Sequence, residues 1–96
     1  PPHYIGPNAD IKRSFITQGC MIDGEVKNSV LFTSAKIDTG ARVIDSVLMP
    51  GVIVEAGAVV QRTLVADGVR IGKNAVVGSP DSEHIELVAK RVKGAE

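Results

Sequence analysis

The side chains of this chain best suited to catalysis are two histidines and one cysteine. His3 lies in a proline-rich start and His84 lies near the C-terminal end, so both are outside the repeated part of the sequence. A zinc site made of three histidines cannot be built from two. Cys20 falls in a column of small residues predicted to point inward, which indicates a packing role. We therefore expect no catalytic, cofactor-binding or metal-binding residue in this chain.

Phosphate chemistry and nucleic-acid binding are also disfavoured. A phosphate site would need a glycine-rich loop and metal-binding carboxylates, whereas Gly40, Gly51, Gly57 and Gly68 fall at repeat corners, where a positive φ is useful. The charges of eleven basic and eleven acidic residues cancel. The chain therefore lacks the excess of positive charge that a protein binding nucleic acid or an anionic membrane surface needs. We expect neither partner. The absence of a signal peptide or a membrane-length apolar run predicts a cytoplasmic location.

A short sequence cassette that occurs four times determines where the side chains of this chain lie in the fold. It contains an aliphatic residue, two mostly polar residues, Ser or Thr, and two apolar residues, at 11–16, 26–31, 43–48 and 60–65. Successive copies begin 15, 17 and 17 residues apart, and Val77 lies 17 residues further on. Most of the chain is therefore one unit stacked repeatedly.

The repeat aligns three columns of aliphatic residues about six positions apart. They are Ile5, Ile22, Ile37, Val54 and Ile71; Ile11, Val26, Val43, Val60 and Val77; and Ile16, Leu31, Leu48 and Val65. A smaller residue precedes most of them by two positions and shares their strand face. The pattern predicts an all-β fold over residues 5–79, a single-stranded parallel β-helix with three sides and about four to five coils. Two residues missing within 22–26 are expected to be absorbed at a corner.

One outward row of this prism is unusually apolar. Between the small and large inward positions of the cassette face lie Phe15, Val30, Val47 and Leu64, and just past this face lie Phe32 and Met49. Stacked side chains of this kind form a continuous exposed stripe, which monomeric proteins usually avoid. We expect these six residues to form an interface with a partner domain or subunit.

The two ends of the chain are predicted to lie outside the β-helix. Residues 1–4 are interpreted as the remnant of a linker in a longer protein. After Pro80, Ile85, Val88, Ala89 and Val92 have helical spacing, and acidic residues precede basic ones. Residues 80–96 are therefore predicted to form a short helical tail that covers the last coil or a neighbouring chain, although the alternation of Ile85 and Leu87 also allows a strand.

With these features identified, the chain resembles the C-terminal domain of bacterial ADP-glucose pyrophosphorylase (glucose-1-phosphate adenylyltransferase). The matching segments are PPHYI at 1–5, KRSFI at 12–16, GCMIDGEV at 19–26, NSVLF at 28–32 and DSVLMP at 45–50. The resemblance implies a left-handed winding of the β-helix, of the hexapeptide-repeat type. It covers roughly residues 1–78.

The resemblance also implies a function. An enzyme of this family joins ATP and glucose 1-phosphate, with Mg²⁺, into ADP-glucose and pyrophosphate for glycogen synthesis. An N-terminal domain would carry the catalysis, and this chain would serve assembly of a homo- or hetero-oligomer, a tetramer in the family, and allosteric control. It would do so in a catalytic or a catalytically silent subunit. An anionic effector could bind to Lys12, Arg13, Lys27 and Arg62. The simpler interpretation is that these four residues belong to an ordinary solvent-exposed surface.

The alternative is the β-helix of another hexapeptide-repeat enzyme, either an acyltransferase or a different sugar-1-phosphate nucleotidyltransferase. Acyltransferases built on such coils generally carry a histidine at a coil edge or in a protruding loop. The two histidines of this chain lie outside the predicted coils.

Overall fold

Very short strands alternate with tight corners through residues 4–95, the part of the chain that the computed structural model describes. The strands are β1 (Tyr4–Ile5), β2 (Asp10–Lys12), β3 (Phe15–Ile16), β4 (Met21–Ile22), β5 (Glu25–Lys27), β6 (Val30–Leu31), β7 (Lys36–Ile37), β8 (Arg42–Ile44), β9 (Val47–Leu48), β10 (Ile53–Val54), β11 (Val59–Gln61), β12 (Thr63–Val65), β13 (Arg70–Ile71), β14 (Val76–Val77) and β15 (Glu86–Val88). Every pairing between them is parallel.

The strands form three five-stranded sheets, one for each side of a prism. Sheet one has the order β1-β4-β7-β10-β13, sheet two β2-β5-β8-β11-β14, and sheet three β3-β6-β9-β12-β15. Each strand pairs with its counterpart one turn later, so the chain winds as a β-solenoid. The predicted parallel β-helix is confirmed, and the three sheets meet along a single central core.

The predicted inward columns are confirmed by the strand pairing. In sheet one, Ile22 pairs with Ile37, Ile37 with Val54, and Val54 with Ile71. The aliphatic residues of the middle coils are completely buried, as are the small Cys20, Ala35 and Ala41 beside them. Burying each aliphatic side chain contributes roughly 1.5–3 kcal/mol, so a narrow core with few aromatic residues is sufficient.

The serine of each cassette joins one coil to the next. Ser46 Oγ donates a hydrogen bond to Ile44 O at 2.8 Å and accepts one from Thr63 N at 3.2 Å. Ser29 and Ser14 do the same one and two coils earlier, respectively. The preceding residue has a positive φ of 47–51° at each of the four corners. At the first three corners, the serine hydroxyl satisfies an amide of the next coil that would otherwise be left unpaired.

The shortened corner of the second coil is closed by Asp23. Its Oδ1 accepts a hydrogen bond from Asn8 N at 2.9 Å, and its Oδ2 accepts one from Thr39 Oγ1 at 2.6 Å. One carboxylate thus links the corners of the first and third coils across the missing residues. The chain also passes close to the third coil here, because a Cβ on Gly24 would lie 2.5 Å from Ala41 O.

The predicted helical tail is wrong. No helix occurs within residues 4–95, and residues 86–88 form β15 on top of β12, with Val88 paired to Val65. Val92 then bridges Ile71. Val88 and Val92 are closer together in the chain than their partners Val65 and Ile71, so the tail does not repeat the solenoid spacing. The unpaired edge of β12 nevertheless supplies hydrogen bonds that an isolated short helix lacks.

The boundaries at the N-terminal end also differ in detail from the predicted linker at 1–4. Tyr4 already belongs to β1 and pairs with Met21. The remaining linker residues, including His3, lie outside the described residues.

Candidate functional site

The outward row of sheet three is the most distinctive surface of the molecule. Phe15, Val30, Val47, Leu64 and Leu87 follow one another in register along the five strands. We call these five residues the apolar stripe. Phe15 is 67% exposed and Leu87 72%, whereas the three between them are half-buried by their neighbours. The stripe therefore runs along the sheet without a charged side chain in it.

Two further predicted interface residues widen this surface. Phe32 and Met49 lie at the corner that follows sheet three, and Phe32 is 37% exposed. Their backbone amides continue the ladder, donating to Leu48 O and Val65 O at 2.9 and 3.0 Å. The structure thus brings all six predicted residues to one side of the prism, while their engagement with a partner stays a prediction.

Sequence reasoning missed Leu87 because the tail was assigned to a helix. The alternation of Ile85 and Leu87 was the available signal. In β15, Leu87 pairs with Leu64 and extends the stripe by one coil.

The other two outward rows are mixed in character. Sheet one presents Tyr4, Met21, Lys36, Ile53 and Arg70, and sheet two presents Asp10, Glu25, Arg42, Val59 and Val76. Charged side chains interrupt both rows. This contrast makes sheet three the best candidate for burial against another protein surface.

The four basic residues suggested as anion contacts do not form one cluster. Lys12 and Lys27 are paired neighbours on β2 and β5. Arg13 occupies the corner directly after β2, whereas Arg62 occupies the corresponding corner three coils later, about 14 Å away at the usual strand spacing. A single small anion cannot therefore contact all four.

Two of these cations already have partners. Arg13 Nε donates to Asn28 Oδ1 at 2.8 Å, and Lys27 Nζ lies 3.0 Å from Glu25 Oε2. Hydrogen bonding from Lys27, with the charge of Arg42 nearby, holds the pKa of Glu25 below its ordinary value. Lys12 is exposed and adjoins Arg13 in the chain, and the partner of Arg13 is a neutral amide rather than a carboxylate. These two are therefore the pair that an anion could approach most directly.

An open cavity of about 360 Å³ lies beside the shortened corner of the second coil. It is lined by Asn8, Asp10, Gly24, Glu25, Thr39, Gly40, Ala41 and Arg42. Arg42 Nε lies 3.4 Å from Glu25 Oε1, so the charges at its edge pair with each other. Asp23 supports its wall, and the hydrogen bond from Thr39, followed by that from Asn8, lowers the pKa of this carboxyl.

No catalytic constellation is evident within residues 4–95. His84 is exposed in the segment that leads to β15, and Cys20 is buried, with Sγ 3.3 Å from Phe32 O. No group of three or more His, Cys, Asp or Glu side chains in the described part could hold a metal ion. Between residues 4 and 95, no helix is long and apolar enough to cross a membrane.

The parallel three-sided solenoid and its six-residue spacing define a hexapeptide-repeat domain. Comparison with protein families gives the same class: a model described as GlmU-like, C-terminal hexapeptide matches residues 5–93. The chain belongs to this family. The left-handed winding that the resemblance implied is consistent with this membership.

Individual relatives narrow the comparison. The chain is 37% identical over 87 residues to a glucose-1-phosphate adenylyltransferase of Acetivibrio thermocellus, covering 91% of this chain and 20% of that protein. It is 37% identical over 93 residues to the enzyme of the same name from Bacillus cytotoxicus, covering 96% of this chain and 25% of the relative. A Bacillus cereus relative of that name is 39% identical over 77 residues, which cover 80% of this chain and 20% of the relative. The chain therefore spans only a fifth to a quarter of the length of these curated relatives.

Proposed function

We propose that this chain is the assembly and regulatory β-helix domain of a glucose-1-phosphate adenylyltransferase. The complete enzyme would join ATP and glucose 1-phosphate into ADP-glucose and pyrophosphate for glycogen synthesis in the cytoplasm. The observation that carries the proposal is the identity of 37% with enzymes of that name over nearly the whole chain. This identity extends over the second coil, whose shortened corner is not found in the other coils.

The chemistry itself is assigned to a catalytic domain outside this chain. Within residues 4–95, no group of three or more His, Cys, Asp or Glu side chains could hold a metal ion. Their one histidine is in an exposed segment after the last full coil. ATP, glucose 1-phosphate and the metal would therefore bind to the catalytic domain, and the solenoid would position that domain.

The apolar stripe is the surface proposed for this positioning. Its residues lie on a rigid sheet, with each strand held to the next by backbone hydrogen bonds such as Phe15 N to Ser29 O at 2.9 Å. A rigid, apolar and continuous face can bury large area without ordering a flexible segment. The occupant we propose is the catalytic domain of the same polypeptide, within a homo- or hetero-tetramer.

Control by an anionic effector is proposed at Lys12 and Arg13. Both are exposed, and they are adjacent at one corner. Lys27 and Arg62 would contribute less, because Lys27 is paired with Glu25 and Arg62 lies three coils away.

The reaction is tested on the full-length gene product that contains this chain. We expect release of pyrophosphate when ATP and glucose 1-phosphate are supplied together with Mg²⁺, either by this polypeptide or by its hetero-oligomer with a catalytic subunit. Acyl transfer to a sugar nucleotide, with no pyrophosphate release, would instead support the acyltransferase alternative.

The role of the stripe is tested separately with Val47→Lys in the full-length protein. Ile53→Lys is the matched control, because Ile53 is also an outward, half-buried aliphatic residue but lies on sheet one. We expect Val47→Lys to lower the oligomer mass or to expose the domain junction to limited proteolysis. Circular dichroism should show an intact solenoid in both variants. Equal behaviour of the two variants would refute docking through the stripe while leaving the enzymatic proposal open to its own test.

A further inference from the structure

The C-terminal segment leaves the solenoid and returns to it after a detour. Val47 and Leu64 are paired across a 17-residue step, but Leu64 and Leu87 are paired across 23. The six additional residues lie between β14 and β15. Residues 86–95 then run along the last coil, and we call them the closing strap.

The closing strap covers backbone edges on two of the three sides. Glu86 N donates to Arg62 O, and Ala66 N donates to Val88 O, both at 2.9 Å, along β12. Gly72 N donates to Val92 O at 2.8 Å beside β13. The contact there is close, because a Cβ on Gly72 would lie 2.2 Å from Gly94 N.

The closing strap is nevertheless held by few apolar contacts. Val88 and Val92 are its inward side chains, and both are only half-buried, whereas Val65 and Ile71 directly beneath them are completely buried. The other described residues of the strap are exposed. Segments with little buried apolar area and exposed hydrogen bonds open locally at low cost.

The opposite end of the prism has no such cover among the described residues. Ile5 is 45% exposed, and Ile11 and Ile16 are half-buried, although their counterparts in the next coil are completely buried. These three residues occupy the same three columns as Ile71, Val77 and Val65, the last inward residues before the closing strap. The first coil of one copy therefore matches the last full coil of another in both column spacing and strand direction.

We propose that the closing strap is a detachable cap that prevents a second copy from stacking its first coil on the C-terminal end. Closed, the strap occupies the hydrogen-bonding edges of β12 and β13. Open, it frees these edges together with the apolar column ends, and a second copy adds as the next coil. Such a head-to-tail contact does not close on itself and leads to growing stacks.

Opening of the strap is tested first by hydrogen exchange on the intact 96-residue chain. The amides of Ala66 and Gly72, which donate to the strap, are compared with those of Met49 and Glu55, which make the equivalent bonds one coil earlier. We expect at least tenfold faster exchange at Ala66 and Gly72. Equal protection at the four amides would overturn the proposal, because the strap would then open only with the whole solenoid.

Stacking is tested by ending the chain after Gly78 and measuring its mass by sedimentation at several concentrations. We expect mass that rises with concentration, whereas the intact chain stays constant. Adding Ile5→Lys to the shortened chain should abolish the rise, since it places a charge on the stacking face; Phe15→Lys, on the apolar stripe, should not. A constant mass of a shortened chain that retains its β-sheet circular dichroism, or association that survives Ile5→Lys, would overturn the proposal.

Discussion

Replacement of Ser46 by alanine tests the hydrogen-bond chain that joins the coils. Ser46 is 2% exposed, and its hydroxyl both donates to Ile44 O and accepts from Thr63 N. Ile44 O keeps a second partner, Arg62 N at 3.0 Å, so alanine leaves one buried donor unpaired. The lost hydroxyl bond and the orphaned amide together predict a decrease in the free energy of unfolding of about 2–4 kcal/mol.

The assay is urea unfolding followed by circular dichroism, with Thr63→Val as the matched control. Thr63 is also fully buried, and its hydroxyl donates to Gln61 O at 2.8 Å. In residues 4–95 no backbone amide donates to this hydroxyl, so valine keeps the volume and orphans no amide there. We expect Thr63→Val to cost about 0.5–1.5 kcal/mol. A loss for Ser46→Ala no larger than that for Thr63→Val would refute the view that the hydroxyls satisfy the corner amides.

Two further predictions concern the shortened corner. Gly24→Ala should lower the free energy of unfolding by about 2–3 kcal/mol, because the new Cβ would lie 2.5 Å from Ala41 O. The control Gly68→Ala should lower it by only about 1 kcal/mol, because a Cβ there meets nothing within 4 Å and the only strain comes from a φ of +68°. Thermal unfolding that ranks the two variants the other way would contradict the close approach at Gly24. The lowered pKa of Asp23, caused first by its bond from Thr39, makes its stabilisation complete above the ordinary pKa of 3.8 and progressively lost as the pH falls through the lowered value. The melting temperature should therefore fall on acidification below about pH 4 and fall less in Asp23→Asn, and an identical acid profile for both proteins would rule out this contribution.

The inward columns could be predicted from the sequence because strand side chains alternate strictly. Once the repeat is aligned, Ile22, Ile37 and Val54 must share one face, and the structure stacks them in that order. The apolar stripe follows from the same alternation, since Val30 and Val47 fall one position away from inward residues. Neither inference required knowledge of how the coils close.

The roles of the corner residues became evident only in three dimensions. The sequence marks Asp23 and Gly24 as a place where two residues are missing, but not that the carboxylate spans from the first coil to the third. The sequence also did not show how far apart the four basic residues lie, because their separation depends on the number of coils between them. The hydrogen bonds between neighbouring corners depend on the conformation of each corner, which residue spacing alone does not specify.

What the sequence determined by itself is the repeated unit, its three inward columns and its one apolar outer face, because these depend on local alternation repeated at a regular step. Only the tertiary structure decided which secondary structure the last residues adopt. Val88 and Val92 have a helical spacing, closer together in the chain than Val65 and Ile71, and the unpaired edge of the preceding coil nevertheless places them on these two residues. That edge offers backbone partners and a column of apolar residues to cover, so the chain adds a partial coil where its local pattern indicated a helix.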